Sequence, residues 1–306
     1  MKVLVTGATG YIGGSVATML AARGHTVVGL TRDETKAPLL ASAGIIPLIG
    51  TLDDAEILAR ESKSADAVVN AADADHRSSL EAILDAIAGT GKALIHTSGS
   101  SVVGDDARGN SLSEVIYDEN STWKIEERKL ARHEINSLVL ESAARGVRSV
   151  IICPSLIYGI GGGINPNSIQ VPFLVEQAQE SGKVRVVGKG LNRWSTVHID
   201  DLSDLYSLVL DSAPAGSFYF AENGEASFAE IGAAIADRLG MNGVDSWDPE
   251  EAAGLWGPGR AYFTYGSNSR VRAARARKEL GWKPAHDSVL RWILDQLPIS
   301  EKERQQ

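Results

Sequence analysis

Three glycines near the N-terminus, spaced Gly7-x-x-Gly10-x-x-Gly13, constrain this chain more than any other feature. They follow the short apolar run Val3–Val5. They lead into a segment in which Ile12, Val16, Met19 and Leu20 share one helical face. Gly24 stands where a left-handed residue would close that helix, and His25–Leu30 reads as the next strand. Strand, glycine turn, helix and strand in about thirty residues form the opening unit of a doubly wound parallel sheet. Glycine at such a turn lets the backbone approach a pyrophosphate, and the helix start behind it offers unpaired amides and the positive end of a dipole. Gly7, Thr9, Gly10, Tyr11, Ile12 and Gly13 are therefore expected to cradle a dinucleotide.

The alternation continues. Ile45–Ile49, Ala67–Asn70, Ala93–Thr97 and Arg148–Cys153 read as strands, the last ending at Pro154. Asp53–Arg60, Ser78–Ala88 and a long stretch from Glu126 to Arg145 read as helices. The fold class is α/β, a Rossmann-type doubly wound parallel sheet with a smaller C-terminal substrate-binding region. Past Pro154 the texture changes. Four of the five residues Gly159–Gly163 are glycine, while Val171–Glu180, Asp201–Leu210, Phe228–Leu239 and Arg272–Leu280 are helical in pattern. The mixed stretch Gly243–Gly266 matches neither period and suits a substrate lid at the carboxyl edge of the sheet.

The 43% hydrophobic and 23% charged composition is that of an ordinary folded protein. A net charge of −9 argues against nucleic acid or an anionic membrane as partner, and the basic run Arg270–Lys278 reads as a solvated helix. One cysteine, Cys153, permits no disulfide, and six scattered histidines show no metal-ligand spacing. No segment reads as a signal h-region or membrane span, so a cytoplasmic protein, monomer or homodimer, is expected.

The end of the second strand bears on the cofactor. NAD-selective domains usually place a carboxylate there to hold the ribose hydroxyls. Thr31 occupies that place, Arg32 follows and Lys36 lies close by. A guanidinium suits a 2′-phosphate, which favours NADP(H) over NAD(H). The plainer alternative leaves Arg32 solvated and gives Asp33 to the ribose.

Five segments together resemble the short-chain dehydrogenase/reductase superfamily, in its extended or atypical branch of NAD(P)-dependent epimerase/dehydratase-like proteins. Gly50-Thr51-Leu52-Asp53 resembles the family's segment beside the adenine, and Asn70-Ala71-Ala72 resembles its cofactor-lining strand end. Cys153-Pro154-Ser155-Leu156-Ile157-Tyr158-Gly159 is similar to its loop near the nicotinamide. Val197-His198-Ile199-Asp200-Asp201 and Leu280-Gly281-Trp282-Lys283-Pro284 match its later segments. The resemblance implies that Thr51, Leu52, Ala71, Ala72, Asp73, Pro154 and Leu156 meet the cofactor, and that Arg193 and Trp194 reach the substrate. It also implies a cofactor domain over 1–158, with contributions from about 184–212, and a mainly substrate-binding region over 159–306.

The family's Tyr-x-x-x-Lys is absent. Counting back from Gly146, the tyrosine place falls on Arg128 and the lysine place on Arg132; the serine place falls on Gly99, between Ser98 and Ser100. Arginine is no proton donor near neutral pH, though Arg132 suits the nicotinamide ribose or a substrate anion. The proton donor is then sought at Ser98, Ser100, Tyr158, Tyr117 or water. His198 reads as a structural residue at a helix start. The reading is an NADP(H)-dependent oxidoreductase acting on a small-molecule carbonyl or alcohol. An epimerase/dehydratase and a non-catalytic NADP-binding sensor are the alternatives.

Overall fold

A computed structural model describes residues 1–299. Its first half alternates strand and helix: β1 (Lys2–Thr6), α1 (Tyr11–Ala22), β2 (Thr26–Thr31), α2 (Ala37–Ser42), β3 (Ile46–Ile49), α3 (Ala55–Ser64), β4 (Ala67–Asn70), α4 (Arg77–Ile87), β5 (Ala93–Thr97), α5 (Leu130–Glu141) and β6 (Arg148–Pro154). Then come β7 (Leu156–Tyr158), α6 (Gln170–Ser181), β8 (Val184–Val187), β9 (Arg193–His198), α7 (Ile199–Ser212), β10 (Ser217–Ala221), β11 (Glu225–Ser227), α8 (Phe228–Leu239), β12 (Val244–Trp247), α9 (Pro249–Trp256), α10 (Ala274–Leu280) and α11 (Val289–Gln296).

Seven strands form one parallel sheet in the order β10-β6-β5-β4-β1-β2-β3. The central strands β1, β4 and β5 are covered on both faces, which is why they read as unbroken apolar runs rather than alternations. Strand order reverses between β1 and β4, so the crevice for a ligand opens at their carboxyl ends.

Two apolar cores result. One joins the sheet to its flanking helices, α7 and α10 included; the other gathers β7, α6, β8, α8, α9 and α11 around Trp194, Trp247, Trp256 and Trp292. Three expectations need correction. The stretch 184–212 joins the sheet core only from Val197 onward, because β8 pairs with β12 in the second core. The long Glu126–Arg145 helix is α5 with a 3-10 turn at each end, Glu127–Lys129 and Ser142–Arg145, closed by Gly146 at φ +74°. The unassigned stretch after Gly243 is β12, α9 and a π-helical turn at Gly259–Thr264, held by the edge-to-face pair Trp247 and Trp256. Among the described residues no helix is long and apolar enough to cross a membrane.

Candidate active site

The glycine turn sits at the carboxyl end of β1. Gly7 has φ +73°, and a Cβ there would lie 2.7 Å from the Ala71 carbonyl oxygen. A Cβ on Gly13 would lie 2.4 Å from the Gly7 carbonyl oxygen, so the start of α1 touches the turn as only glycine allows. No side chain caps α1 and no acidic residue occupies its first turn. An uncapped, positively polarised helix start beside a close backbone approach fits a pyrophosphate. Tyr11 donates from its phenol to the Gly159 carbonyl (2.9 Å), and burial pushes that phenol above its ordinary range.

At the end of β2, Thr31 is buried and its Oγ1 accepts the Asp33 amide (3.2 Å). The Asp33 carboxylate accepts from Thr35 N and Oγ1, which holds it below the usual carboxylate range. Arg32 is exposed, and neither it nor Lys36 makes a side-chain hydrogen bond among the described residues. Thr51 donates N–H and O–H to Asp54, closing the turn before α3, with Leu52 half-buried beside it.

From the start of α1 a cleft of about 660 Å³ runs along the carboxyl edge of the sheet. Gly10, Tyr11, Ile12, Ala71 and Ala72 line its end at the glycine turn, Ser98, Ser100, Ser101 and Arg132 its middle, and Pro154, Ser155, Ile157, Trp194 and Thr264 are among the residues that complete it. A side recess of about 250 Å³ shares Ser101, Trp194 and Thr264 with the cleft and adds Arg128, Lys129 and Phe263.

Residues 3–219 match the family model described as the NAD dependent epimerase/dehydratase family. The chain belongs to that family. Proteins similar to it include the oxidase ucsJ of an Acremonium species, 31% identical over 92% of this chain and 92% of its own. Another is the 2-alkyl-3-oxoalkanoate reductase of Stenotrophomonas maltophilia, 29% identical over 74% of this chain and 71% of its own. In fold it resembles the dTDP-glucose 4,6-dehydratase DesIV of Streptomyces venezuelae, solved with NAD and TYD bound. That likeness has a TM-score of 0.76 at 21% identity, over 96% of this chain and 95% of that one.

Against the epimerase/dehydratase pattern, several expected residues stand elsewhere. Side chains alternate along β7: Ile157 lines the cleft, while Leu156 and Tyr158 enter the second core. The Tyr158 phenol donates to the His286 carbonyl (3.1 Å), its ring edge meets His198, and burial pushes it above its ordinary range. Tyr158 is therefore no proton donor to the cleft, and Leu156 no cofactor contact. The same alternation on β9 turns Trp194 into the cleft and Arg193 away from it, to Glu230 at 3.1 Å. Asp73 is exposed and accepts the Asp75 amide (2.9 Å), and Tyr117 packs edge-to-face on Trp123; neither lines the cleft. Thr9 is half-buried in the turn, just outside the lining.

Ser98 and Ser100 line the cleft, and both residues are buried. Ser98 Oγ is buried without a nitrogen or oxygen partner, beside the Cys153 thiol, which burial pushes upward. Ser100 Oγ accepts from Ser269 Oγ (2.8 Å). Arg132 gives both arms of its fork to Asp75. Beneath the glycine-turn end of the cleft runs a buried chain that the sequence did not reveal: Thr6 Oγ1 donates to Asn70 Oδ1 (2.6 Å), and Asn70 Nδ2 donates to His96 Nδ1 (3.1 Å). Lys129 was also missed; it donates from Nζ to Ser101 Oγ at 2.9 Å.

His198 caps α7 by accepting the Asp200 amide (3.2 Å) and stacks on His286, ring centres 3.8 Å apart. His198, Asp200 and His286 bring possible metal-ligand atoms within 4.8 Å. Nδ1 of His198 is already spent on the cap, however, and a Cβ on Gly159 would lie 2.4 Å from Nε2. With Nδ1 accepting the cap amide, the neutral ring carries its proton on Nε2, so His198 has no free lone pair for an ion and its role is structural.

Proposed function

We propose that the protein is an NADP(H)-dependent reductase of a small-molecule carbonyl. One observation carries this reading: the cleft leads from the uncapped start of α1 to Trp194 and Thr264 with no carboxylate or histidine among its described lining residues. Dehydration needs a base that takes a proton from carbon, and the described wall offers no carboxylate or histidine for it. Carbonyl reduction needs only a held cofactor, a positioned carbonyl and one proton. The reductase and oxidase names of related proteins support the class.

When bound, the reduced nicotinamide supplies a hydride. The chain's residues do the rest. Gly7, Gly10 and Gly13 bring amides to the pyrophosphate. Arg32 and Lys36 face the 2′-phosphate, with Thr31 in place of a repelling carboxylate. Arg132, clamped by Asp75, presents a fixed cation beside the nicotinamide ribose. Pro154, Ile157 and Trp194 give the substrate apolar walls and exclude water. An open cleft of this volume, within the range of small-molecule sites, also speaks against the sensor reading, which calls for a filled one.

The test is titration with NADPH and NADH, followed by carbonyl compounds scored by loss of nicotinamide absorbance. Tight NADPH binding with turnover is expected. Binding of neither nucleotide would overturn the reading.

A further inference from the structure

The reductase reading leaves open where the proton comes from. Arg132 and Tyr11 are the ionisable side chains among the main cleft's described lining residues. Arg132 is paired with Asp75, which raises its proton affinity further. Tyr11 has its hydroxyl proton on the Gly159 carbonyl. Of the lining hydroxyls, Ser98 is enclosed beside Cys153, Ser100 is tied to Ser269, Ser155 donates to the Ala221 carbonyl (2.9 Å), Thr264 donates to the Gly259 carbonyl (3.5 Å), and Ser168 Oγ is buried with no ionisable group bonded to it. Ser101 differs from all of them. It lines both the cleft and the recess, and it has an ammonium group at hydrogen-bond distance.

We propose that Ser101 and Lys129 form the proton-donating pair of this cleft, the serine hydroxyl facing the substrate oxygen and the lysine behind it. The pair takes the task of the missing tyrosine from a different part of the chain. Ser101 lies in the 3-10 turn after β5, and Lys129 ends the turn that leads into α5. In the forward reaction the carbonyl carbon receives a hydride, with its electron pair, from the reduced nicotinamide dinucleotide. The carbonyl oxygen takes the Ser101 hydroxyl proton, Ser101 takes one from the Lys129 ammonium, and water later restores the lysine. The sum is one carbonyl reduced to one alcohol, one dinucleotide oxidised and one proton taken from solvent.

The surroundings suit the task. Burial, then Arg128, then Arg132, push the Lys129 ammonium down to about 8, against the opposing pull of Asp75 and Glu126. A donor poised near the working pH is the most effective kind.

The experiment has two arms. In the first, wild type, Lys129→Arg, Ser101→Ala and Ser101→Thr are assayed with NADPH on 3-oxoalkanoates and their methyl esters. Lys129→Arg keeps the charge but holds its proton, so kcat should fall at least about 100-fold with NADPH affinity unchanged. Ser101→Ala should fall similarly, and Ser101→Thr should recover most of the rate. Wild-type reduction should decline about tenfold per pH unit above the Lys129 midpoint, where the ammonium form is lost. An active Lys129→Arg with the wild-type pH profile overturns the proposal.

The second arm needs no turnover, so it separates this proposal from the reductase reading. Trace acetic anhydride acylation of the wild-type protein is followed by peptide mass spectrometry across pH, with and without NADP+. Lys129 should label with a midpoint near 8 and be protected by NADP+. Labelling in step with the surface lysines, unaffected by NADP+, overturns the pair even if the protein proves to be a reductase.

Discussion

Arg132 and Asp75 meet as a two-pronged pair, each carboxylate oxygen accepting one guanidinium N–H. The pair fixes the arginine against the cleft and holds Asp75 below the usual carboxylate range. It also sets the field at Lys129, where Asp75 favours the ammonium and Arg132 opposes it. Asp75→Asn removes the favourable charge and leaves the opposing one. The Lys129 acylation midpoint should then drop below about 8. A midpoint that stays in place would show that the Asp75 charge does not reach the lysine.

On the proposed NADP(H) reading, cofactor choice turns on Arg32. Asp33 commits its carboxylate to Thr35 N and Oγ1 rather than offering it to ribose hydroxyls, and Arg32 beside it is exposed with no side-chain hydrogen bond among the described residues. A charge-assisted hydrogen bond contributes about 1.5–3 kcal/mol. Arg32→Ala should therefore weaken NADPH binding roughly ten- to hundredfold and leave NADH binding unchanged, read by nicotinamide fluorescence. An equal loss for both cofactors would place Arg32 elsewhere on the dinucleotide.

The parallel sheet and the glycine turn were legible because their signals are local. Apolar runs, glycine punctuation and a helical stripe each fall within one element, and the expectations for β4, β5 and α8 hold to the residue. What failed was the phase of short strands and the pairing of distant residues. On β7 and β9 a shift of one position decides which core a side chain enters, and this turned Leu156, Tyr158 and Arg193 from the cleft while giving it Ile157. Lys129 stands in the charged run Glu126-Glu127-Arg128-Lys129, which reads as a solvated face. Its partner Ser101 is 28 residues away in sequence, and only the fold joins them.

His96 makes stability depend on pH. Its Nδ1 accepts from Asn70, which leaves the proton on Nε2, buried without a partner. Burial first, and the Arg132 charge second, lower its pKa from 6.5 to about 4. The folded state thus binds this proton less readily than the unfolded chain does. Stability from the neutral imidazole is present above the unfolded value and is lost as pH falls from 6.5 toward 4. The full loss is about 3 kcal/mol for a shift of this size. Urea unfolding followed at several pH values should show this limb. His96→Gln, which keeps an acceptor for Asn70, should flatten it while lowering stability at neutral pH; an unchanged limb would assign the effect to another group.

The last prediction concerns the glycine-rich loop after Tyr158. It is not a free lid: Gly162 N–H donates to Ser15 Oγ (3.1 Å), and Gly161 N–H donates to the Pro166 carbonyl (2.8 Å). Gly163 lies on the first turns of α1, where a Cβ would come within 2.5 Å of the Gly14 carbonyl carbon. Both sides of that contact are backbone, so neither can yield by turning a side chain. Gly163→Ala must push α1 and the loop apart, at a cost of about 1–3 kcal/mol as in other overpacked sites. Because the same helix start would hold the pyrophosphate, the variant should lose dinucleotide affinity as well as melting temperature. Gly162→Ala, which meets nothing within 4 Å, should change neither. Equal behaviour of the two variants would show that the loop does not brace α1.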